Sequence, residues 1–195
     1  MPTAARMRAL GRQLAPMLRA GDLIVLNGQL GAGKTTLVQG IGEGLDVRGP
    51  VTSPTFVIAR VHPARVHPAP GGGPALGGGG PALVHVDAYR LSSPAEVDDL
   101  DLDADLDRSV TVVEWGGGLV EGLAASWLDV TIAMPAPGPA ATGARDPGRE
   151  PDPGDEPDPG DEPRTVLLAG RGERWAAVAE SVRAGLVGAH YDRLA

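Results

Sequence analysis

A glycine-rich run at residues 28–36, GQLGAGKTT, constrains the fold of this chain more than any other feature. It follows an apolar segment, LIVL at 23–26, that is typical of a strand buried on both faces. Residues 35–44 carry Leu37 and Ile41 at helical spacing and end in a glycine. A strand, a glycine-rich loop and a helix in this order predict a phosphate-binding loop. A chance glycine-rich turn is the alternative, which the flanking elements disfavour.

The residue types in this loop match the groups of a nucleoside triphosphate. Successive backbone N–H groups at a helix N-terminus attract phosphates, and the glycines permit a close wrap. We expect Lys34 to neutralise the β- and γ-phosphates, Thr35 to offer its hydroxyl to Mg²⁺, and Thr36 to reach the α-phosphate. The predicted phosphate-binding residues of the loop are Gly31, Ala32, Gly33, Lys34, Thr35 and Thr36.

Lysine usage bears on which nucleotide binds. Lys34 is the one lysine among 17 basic residues, and it stands where a compact ammonium suits a tight loop better than a guanidinium. Guanine recognition in the manner of GTPases uses an Asn-Lys-x-Asp motif, for which no second lysine is left. The predicted nucleotide is therefore ATP.

Two acidic residues each follow a predicted strand. Asp87 comes after the strand at 83–86, and Glu114 comes after the strand at 110–113. Enzymes with this loop usually place a carboxylate at the end of a neighbouring strand, where it serves the magnesium ion or its water. An isolated acid there would more simply be a turn residue, but two equivalent acids favour a magnesium cluster. We assign Lys34, Asp87 and Glu114 to catalysis and Thr35, Glu114 and Asp87 to the metal, leaving open which acid orients the attacking water.

The order of predicted elements indicates an α/β protein. An amphipathic helix opens the chain, and further strands are predicted at 128–132 and 164–168. Because few helices separate the later strands, the sheet is expected to be mixed and partly antiparallel. The predicted fold is a P-loop NTPase-like three-layer sandwich, with a last helix carrying Trp175, Val178, Val182 and Leu186.

Two low-complexity segments interrupt this plan. Residues 61–82, together with the preceding Arg60, contain RVHPA twice and then a repeated glycine-rich unit, and residues 135–163 repeat EPDPGD. Neither has enough apolar residues to offset the entropy of ordering it. We therefore predict one domain, 1–195, with disordered insertions at 61–82 and 135–163.

Charge and composition exclude several classes of protein. The net charge of -8 disfavours direct binding to a nucleic-acid backbone, and the absence of cysteine excludes disulfides and thiolate metal sites. Arginines are dispersed through the first 20 residues, so no signal peptide or membrane span is predicted there. The expected location is the cytoplasm.

Four motifs in order carry a resemblance to a known family: the phosphate loop, SPTF at 53–56, HVDAYRL at 85–91, and Glu114-Trp115. Together they closely resemble the TsaE family of ATPases in tRNA threonylcarbamoyladenosine biosynthesis. The resemblance implies ATP hydrolysis that supports a TsaB–TsaD complex, which modifies adenosine 37 of tRNA. It also implies that tRNA is contacted only through that complex.

The resemblance also implies roles for further residues. Ser53 and Thr55 would form a switch near the γ-phosphate, and residues 87–90 a second switch facing ATP or the partner. Arg164 resembles a late-strand arginine near the nucleotide. Taken without the family, SPT is a proline-stiffened turn with two hydroxyls.

Two other functions remain open from the residues. A small-molecule kinase shares the loop, but it needs an arginine-rich lid, whereas residues 135–163 are acidic and rich in proline. A nucleotide-dependent assembly subunit would bind ATP and seldom hydrolyse it.

Overall fold

The computed structural model describes residues 3–67, 80–134, 164–176 and 178. Its helices are α1 (Ala4–Leu14), α2 (Lys34–Gly44), α3 (Pro94–Asp98) and α4 (Asp103–Leu106). Its strands are β1 (Leu23–Gly28), β2 (Ala59–His62), β3 (Ala82–Asp87), β4 (Ser109–Glu114), β5 (Trp127–Ala133) and β6 (Thr165–Arg171).

The six strands form one sheet in the order β2-β3-β4-β1-β5-β6. The four central strands are parallel to one another, whereas β2 and β6 are antiparallel to β3 and β5 at the two edges. This confirms the predicted mixed, partly antiparallel sheet. Because β1 is central, the phosphate loop that follows it emerges from the middle of the carboxyl edge of the parallel strands.

Each face of the sheet is covered by a separate apolar cluster. The α1 and α2 helices cover one face, together with Trp175, which is 2% exposed. Short helices and turns cover the other face, and their Val97 and Leu102 side chains are buried in its apolar cluster. A Cβ added at Gly40 of α2 would lie 2.1 Å from the carbonyl oxygen of Arg8, so glycine there lets the two helices approach closely. The result is the predicted three-layer arrangement.

The boundaries of the first predicted insertion, 61–82, are corrected by the structure. Residues 61–62 belong to β2, Ala64 forms a bridge with Val47, and Ala82 opens β3. Pairing with β3 organises β2, a contact that composition alone does not express. The remainder at 68–79, the second predicted insertion, and the positions of Val182 and Leu186 in the predicted last helix all lie outside the described residues.

The acidic stretch at 98–107 forms the end of α3 and the short α4, with Leu102 and Leu106 buried. It is therefore an amphipathic segment packed through its leucines. No helix in the described ranges combines the length and apolarity that a membrane crossing requires.

Candidate nucleotide-binding site

The loop between β1 and α2 has the backbone geometry of an anion cradle. Gly33 caps α2 with φ 103°, a left-handed conformation that L side chains rarely adopt. At Gly28 an added Cβ would lie 2.6 Å from the carbonyl oxygen of Ile132, so the turn requires glycine there too. No acidic residue lies in the first turn of α2. The helix N-terminus therefore presents its N–H groups and positive dipole without a competing carboxylate on that turn.

Lys34 lies inside this cradle, 5% exposed. Its ammonium donates to the carbonyl oxygens of Gly28 at 2.8 Å and Gln29 at 3.0 Å, and it lies 3.7 Å from the centre of the Trp115 ring. Burial lowers the pKa of Lys34, and the nearby carboxylates of Glu114 and Asp87 oppose that shift. The direct contacts of the ammonium are therefore with neutral carbonyl groups and a ring face, and no carboxylate among the described residues forms an ion pair with it.

Glu114 ties β4 to the start of α2. Its Oε1 accepts a hydrogen bond from the Thr35 hydroxyl at 2.8 Å, and the residue is 3% exposed. In the sheet register Glu114 lies beside Leu26 of β1, two residues before the loop begins, so the carboxylate lies under the phosphate loop. The same Oε1 contacts Nε2 of His85 at 2.9 Å.

Asp87 stands directly opposite Glu114 in the register of β3 and β4. One oxygen of its carboxylate accepts from the Thr55 hydroxyl at 2.7 Å, and the other accepts from the backbone N–H of Tyr89 at 3.1 Å. Ser53 in turn bonds the Thr55 hydroxyl at 2.6 Å. The structure therefore brings the SPT segment and the acid after β3 together, beside the acid after β4.

Comparison with known proteins agrees with these motifs. The family model described as "Threonylcarbamoyl adenosine biosynthesis protein TsaE" matches residues 1–137. The chain belongs to the TsaE family. A TsaE from Streptomyces coelicolor is 52% identical over 180 residues, which make up 92% of this chain and 100% of that protein. A TsaE from Bacillus subtilis is 34% identical over 64% of this chain and 70% of its own length. Both carry the name tRNA threonylcarbamoyladenosine biosynthesis protein TsaE.

A solved structure resembles the fold as well. The crystal structure of YdiB from Bacillus subtilis matches with a TM-score of 0.58 at 22% identity, covering 95% of this chain and 92% of that one. At this identity the match bears on the fold alone. It agrees with a P-loop-type α/β fold for this member of the TsaE family.

The remaining predicted site residues of this TsaE chain are placed as follows. Ala32 is fully buried within the loop, and Thr36 lies in the first turn of α2. Arg164 immediately precedes β6, whose residue Thr165 pairs with Ala133 at the carboxyl end of β5. Arg164 therefore lies at the same edge of the sheet as the phosphate loop, with β5 between them. Its approach to a nucleotide stays a prediction.

Sequence reasoning gave no role to two residues that the structure brings to the site, His85 and Trp115. The sequence held one indication of His85, because side chains alternate along a strand and His85 therefore lies on the same face of β3 as Asp87. Its contact with Glu114 depends on strand order, which spacing does not reveal. Trp115 follows β4 with φ 62°, a strained turn that directs its ring under Lys34 and against Tyr89.

The donor set beside the loop fits a magnesium ion. Asp87 and Glu114 supply carboxylate oxygens and Thr35 a hydroxyl, and Mg²⁺ usually takes one or two protein carboxylates, with water and phosphate oxygens completing its octahedron. Nowhere in the described residues do three or more His, Cys, Asp or Glu side chains cluster for a metal.

Proposed function

We propose that this TsaE-family chain binds ATP with Mg²⁺ and hydrolyses it to support threonylcarbamoyladenosine formation on tRNA. The observation that carries the proposal is the hydrogen bond from Thr35 to Glu114 at 2.8 Å. It joins the first turn after the phosphate loop to a buried carboxylate on the neighbouring strand. P-loop enzymes bring together a hydroxyl, a strand-end acid and a loop lysine around nucleotide phosphates and magnesium.

In the proposed complex the loop N–H groups and Lys34 hold the phosphates. Lys34 would exchange the carbonyl oxygens of Gly28 and Gln29 for phosphate oxygens, which pair with its charge. Thr36 would reach the α-phosphate. When bound, Mg²⁺ would be held by Thr35, Glu114 and Asp87, directly or through water, and would supply charge neutralisation to the β- and γ-phosphates.

Hydrolysis needs a water oxygen to form a bond to the γ-phosphorus while the bond to the β,γ-bridging oxygen breaks. The two carboxylates are the groups here that can orient that water and take its proton. The Thr55 hydroxyl donates to Asp87 and is itself bonded to the Ser53 hydroxyl, so the SPT segment would move with any change at the γ-phosphate position that displaces Asp87. ATP is favoured over GTP because the single lysine is already in the loop.

The proposed partner is the TsaB–TsaD complex, with tRNA contacted only through it, and the proposed location is the cytoplasm. The net charge of -8 supports indirect contact with tRNA. Phe56 is 88% and Tyr89 is 65% exposed, and both belong to the segments that hold Asp87. Exposed aromatic residues at a nucleotide site are suited to a protein contact that senses the nucleotide.

ATP turnover by the purified chain, alone and with TsaB and TsaD, tests the proposal. We expect phosphate release without any small-molecule acceptor. Glu114→Ala should lower turnover about 100-fold, the usual scale for a group that assists proton transfer. Glu43→Ala is the matched control, because Glu43 is an exposed residue at the far end of α2 that pairs with Arg12.

Two outcomes would favour the alternatives. Phosphate transfer that requires a small-molecule acceptor would identify a kinase. If Glu114→Ala still bound nucleotide, and partner assembly and tRNA modification both continued unchanged, hydrolysis would be irrelevant and the chain would be an assembly subunit.

A further inference from the structure

His85 is the most deeply buried ionisable side chain in contact with the proposed site. Its side chain is 0% exposed and that of Glu114 is 4% exposed, with Nε2 of the histidine 2.9 Å from Oε1 of the carboxylate. The Thr35 hydroxyl reaches the same oxygen at 2.8 Å. Two contacts therefore converge on Oε1, whereas Oε2 accepts no hydrogen bond from the described residues.

The surroundings of the ring indicate which nitrogen carries the proton. The carboxylate oxygen can only accept, so Nε2 must donate to it. The other nitrogen, Nδ1, is buried without a hydrogen-bond partner among the described residues. A proton on Nδ1 would be a buried donor without an acceptor, which is costly, whereas a lone pair there costs less. The contacts therefore favour the Nε2–H form of the ring.

We propose that His85 is a positioning residue that fixes the Glu114 carboxylate for its work at the phosphate loop. With Oε1 held by His85 and Thr35, rotation of the carboxylate is restrained and Oε2 remains for magnesium or its water. Thr35 alone would restrain it less, because its hydroxyl also faces the metal in the proposed site. This inference rests on the proposed function and assigns a role that the reaction itself does not require of a histidine.

The fold supports this role over simple packing. Asp87 and His85 lie on one face of β3, two residues apart, and Asp87 stands opposite Glu114. A single strand thus supplies one carboxylate to the site and the donor that supports the other carboxylate. Groups that orient metal ligands from behind typically change metal affinity or activity about 10- to 100-fold when removed.

Two substitutions separate hydrogen bonding from packing. His85→Gln keeps an N–H donor at the distance of Nε2, whereas His85→Leu keeps apolar volume and removes the donor. His62→Leu is the matched control, because His62 is a second buried histidine, 4% exposed, on the same face of the sheet. No hydrogen bond joins it to Glu114 among the described contacts.

The measurement is ATP affinity by calorimetry, in EDTA and again in Mg²⁺, with thermal unfolding recorded for each variant. We expect His85→Leu to leave affinity in EDTA within about twofold and to reduce the gain given by Mg²⁺ about tenfold. His85→Gln should restore most of that gain, and His62→Leu should keep all of it. In a Glu114→Ala background, His85→Leu should cause no further loss.

The inference is overturned if His85→Leu keeps the full Mg²⁺ gain, if a folded His85→Gln loses as much as His85→Leu, or if His62→Leu loses it equally. A wild-type chain that shows no Mg²⁺-dependent ATP binding would instead overturn the proposed function. The two failures are therefore distinguishable.

Discussion

Two buried carboxylates lie at opposite ends of the central strands and are treated differently by their surroundings. Asp22 immediately precedes β1 and is 2% exposed, whereas Glu114 ends β4 and is 3% exposed. Asp22 and Arg174 form what we call the anchor pair. Nε of the arginine lies 3.1 Å from Oδ1, and Nη2 lies 3.0 Å from Oδ2. The backbone N–H of Arg19 also donates to Oδ2, at 2.9 Å.

Both oxygens of Asp22 are therefore occupied, and its charge is neutralised by a guanidinium that also donates to the carbonyl oxygen of Met17. At Glu114 both observed contacts fall on one oxygen. The nearby cation, Lys34, makes no ion pair within the described part of the chain. Burial alone therefore does not indicate function. In the proposed site, Glu114 has one oxygen without a hydrogen bond among the described residues, and a ligand would find it available there, whereas both oxygens of Asp22 already have partners.

The largest expected effect is on stability, at the anchor pair. Asp22→Ala leaves a largely buried guanidinium without its partner, so we expect the free energy of unfolding to fall by about 3–5 kcal/mol. Denaturant unfolding measures this change. ATP affinity of the folded fraction should stay near the wild-type value, because the pair lies at the far end of the sheet.

A double-mutant cycle sharpens this prediction. Arg174→Ala should also destabilise the chain, and the double variant should lose less than the sum of the two single losses. Additive losses, or a change below about 1 kcal/mol for Asp22→Ala, would show that the pair contributes little to stability. Asp22 would then not differ from Glu114 in the way described above.

The second effect is on binding, at Lys34. Hydrogen bonds to charged groups contribute about 1.5–3 kcal/mol, so Lys34→Ala should weaken ATP binding roughly 10- to 150-fold. Stability should change little or increase, because a buried ammonium is removed. Calorimetry measures the ATP affinity of the variant, and denaturant unfolding measures its stability. Normal tRNA modification in cells that carry only this variant would contradict the phosphate-binding role.

Much of the fold was predictable because it follows local patterns. Apolar runs located β1, β3, β4 and β5 to within two residues, and the glycine-rich loop located α2. The β2 strand was missed because it has four residues, of which His62 alone is buried. The β2 strand is organised by its hydrogen bonds to β3, and the polar and apolar pattern of its own four residues does not reveal that pairing.

The residues of the candidate site also divide into those that local sequence patterns predict and those that depend on tertiary contacts. The positions of Asp87 and Glu114 after parallel strands predicted that they would be neighbours, and the register places them side by side. The resemblance pointed to Ser53 and Thr55; the Thr55 hydroxyl contacts Asp87, and the Ser53 hydroxyl contacts that of Thr55. The support from His85 could not be predicted, because it depends on which strand lies beside β3 and on a diagonal contact across the pair.

The smallest expected effect concerns His62. Unlike Asp22 it is not fully hydrogen-bonded by the described residues, and it is not part of the proposed site. Its Nε2 is buried without a hydrogen-bond partner among the described residues. Burial lowers its pKa below the ordinary value of 6.5, with smaller contributions from His85 and Arg60. Because the unfolded chain then binds a proton more readily than the folded one, the folded state loses stability as pH falls below 6.5 toward the lowered pKa.

His62→Leu removes that contribution. At pH about 7.5 its stability should lie within about 1 kcal/mol of wild type, because the substitution removes no hydrogen bond between His62 and the described residues. Between that pH and about 5.5 it should lose less stability than wild type, as measured by urea unfolding at each pH. Arg60→Gln should change the pH dependence in the same direction but less, since its charge is the smallest of the three causes. If wild type, His62→Leu and Arg60→Gln lose the same stability as the pH falls, protonation of His62 is not the cause of the loss.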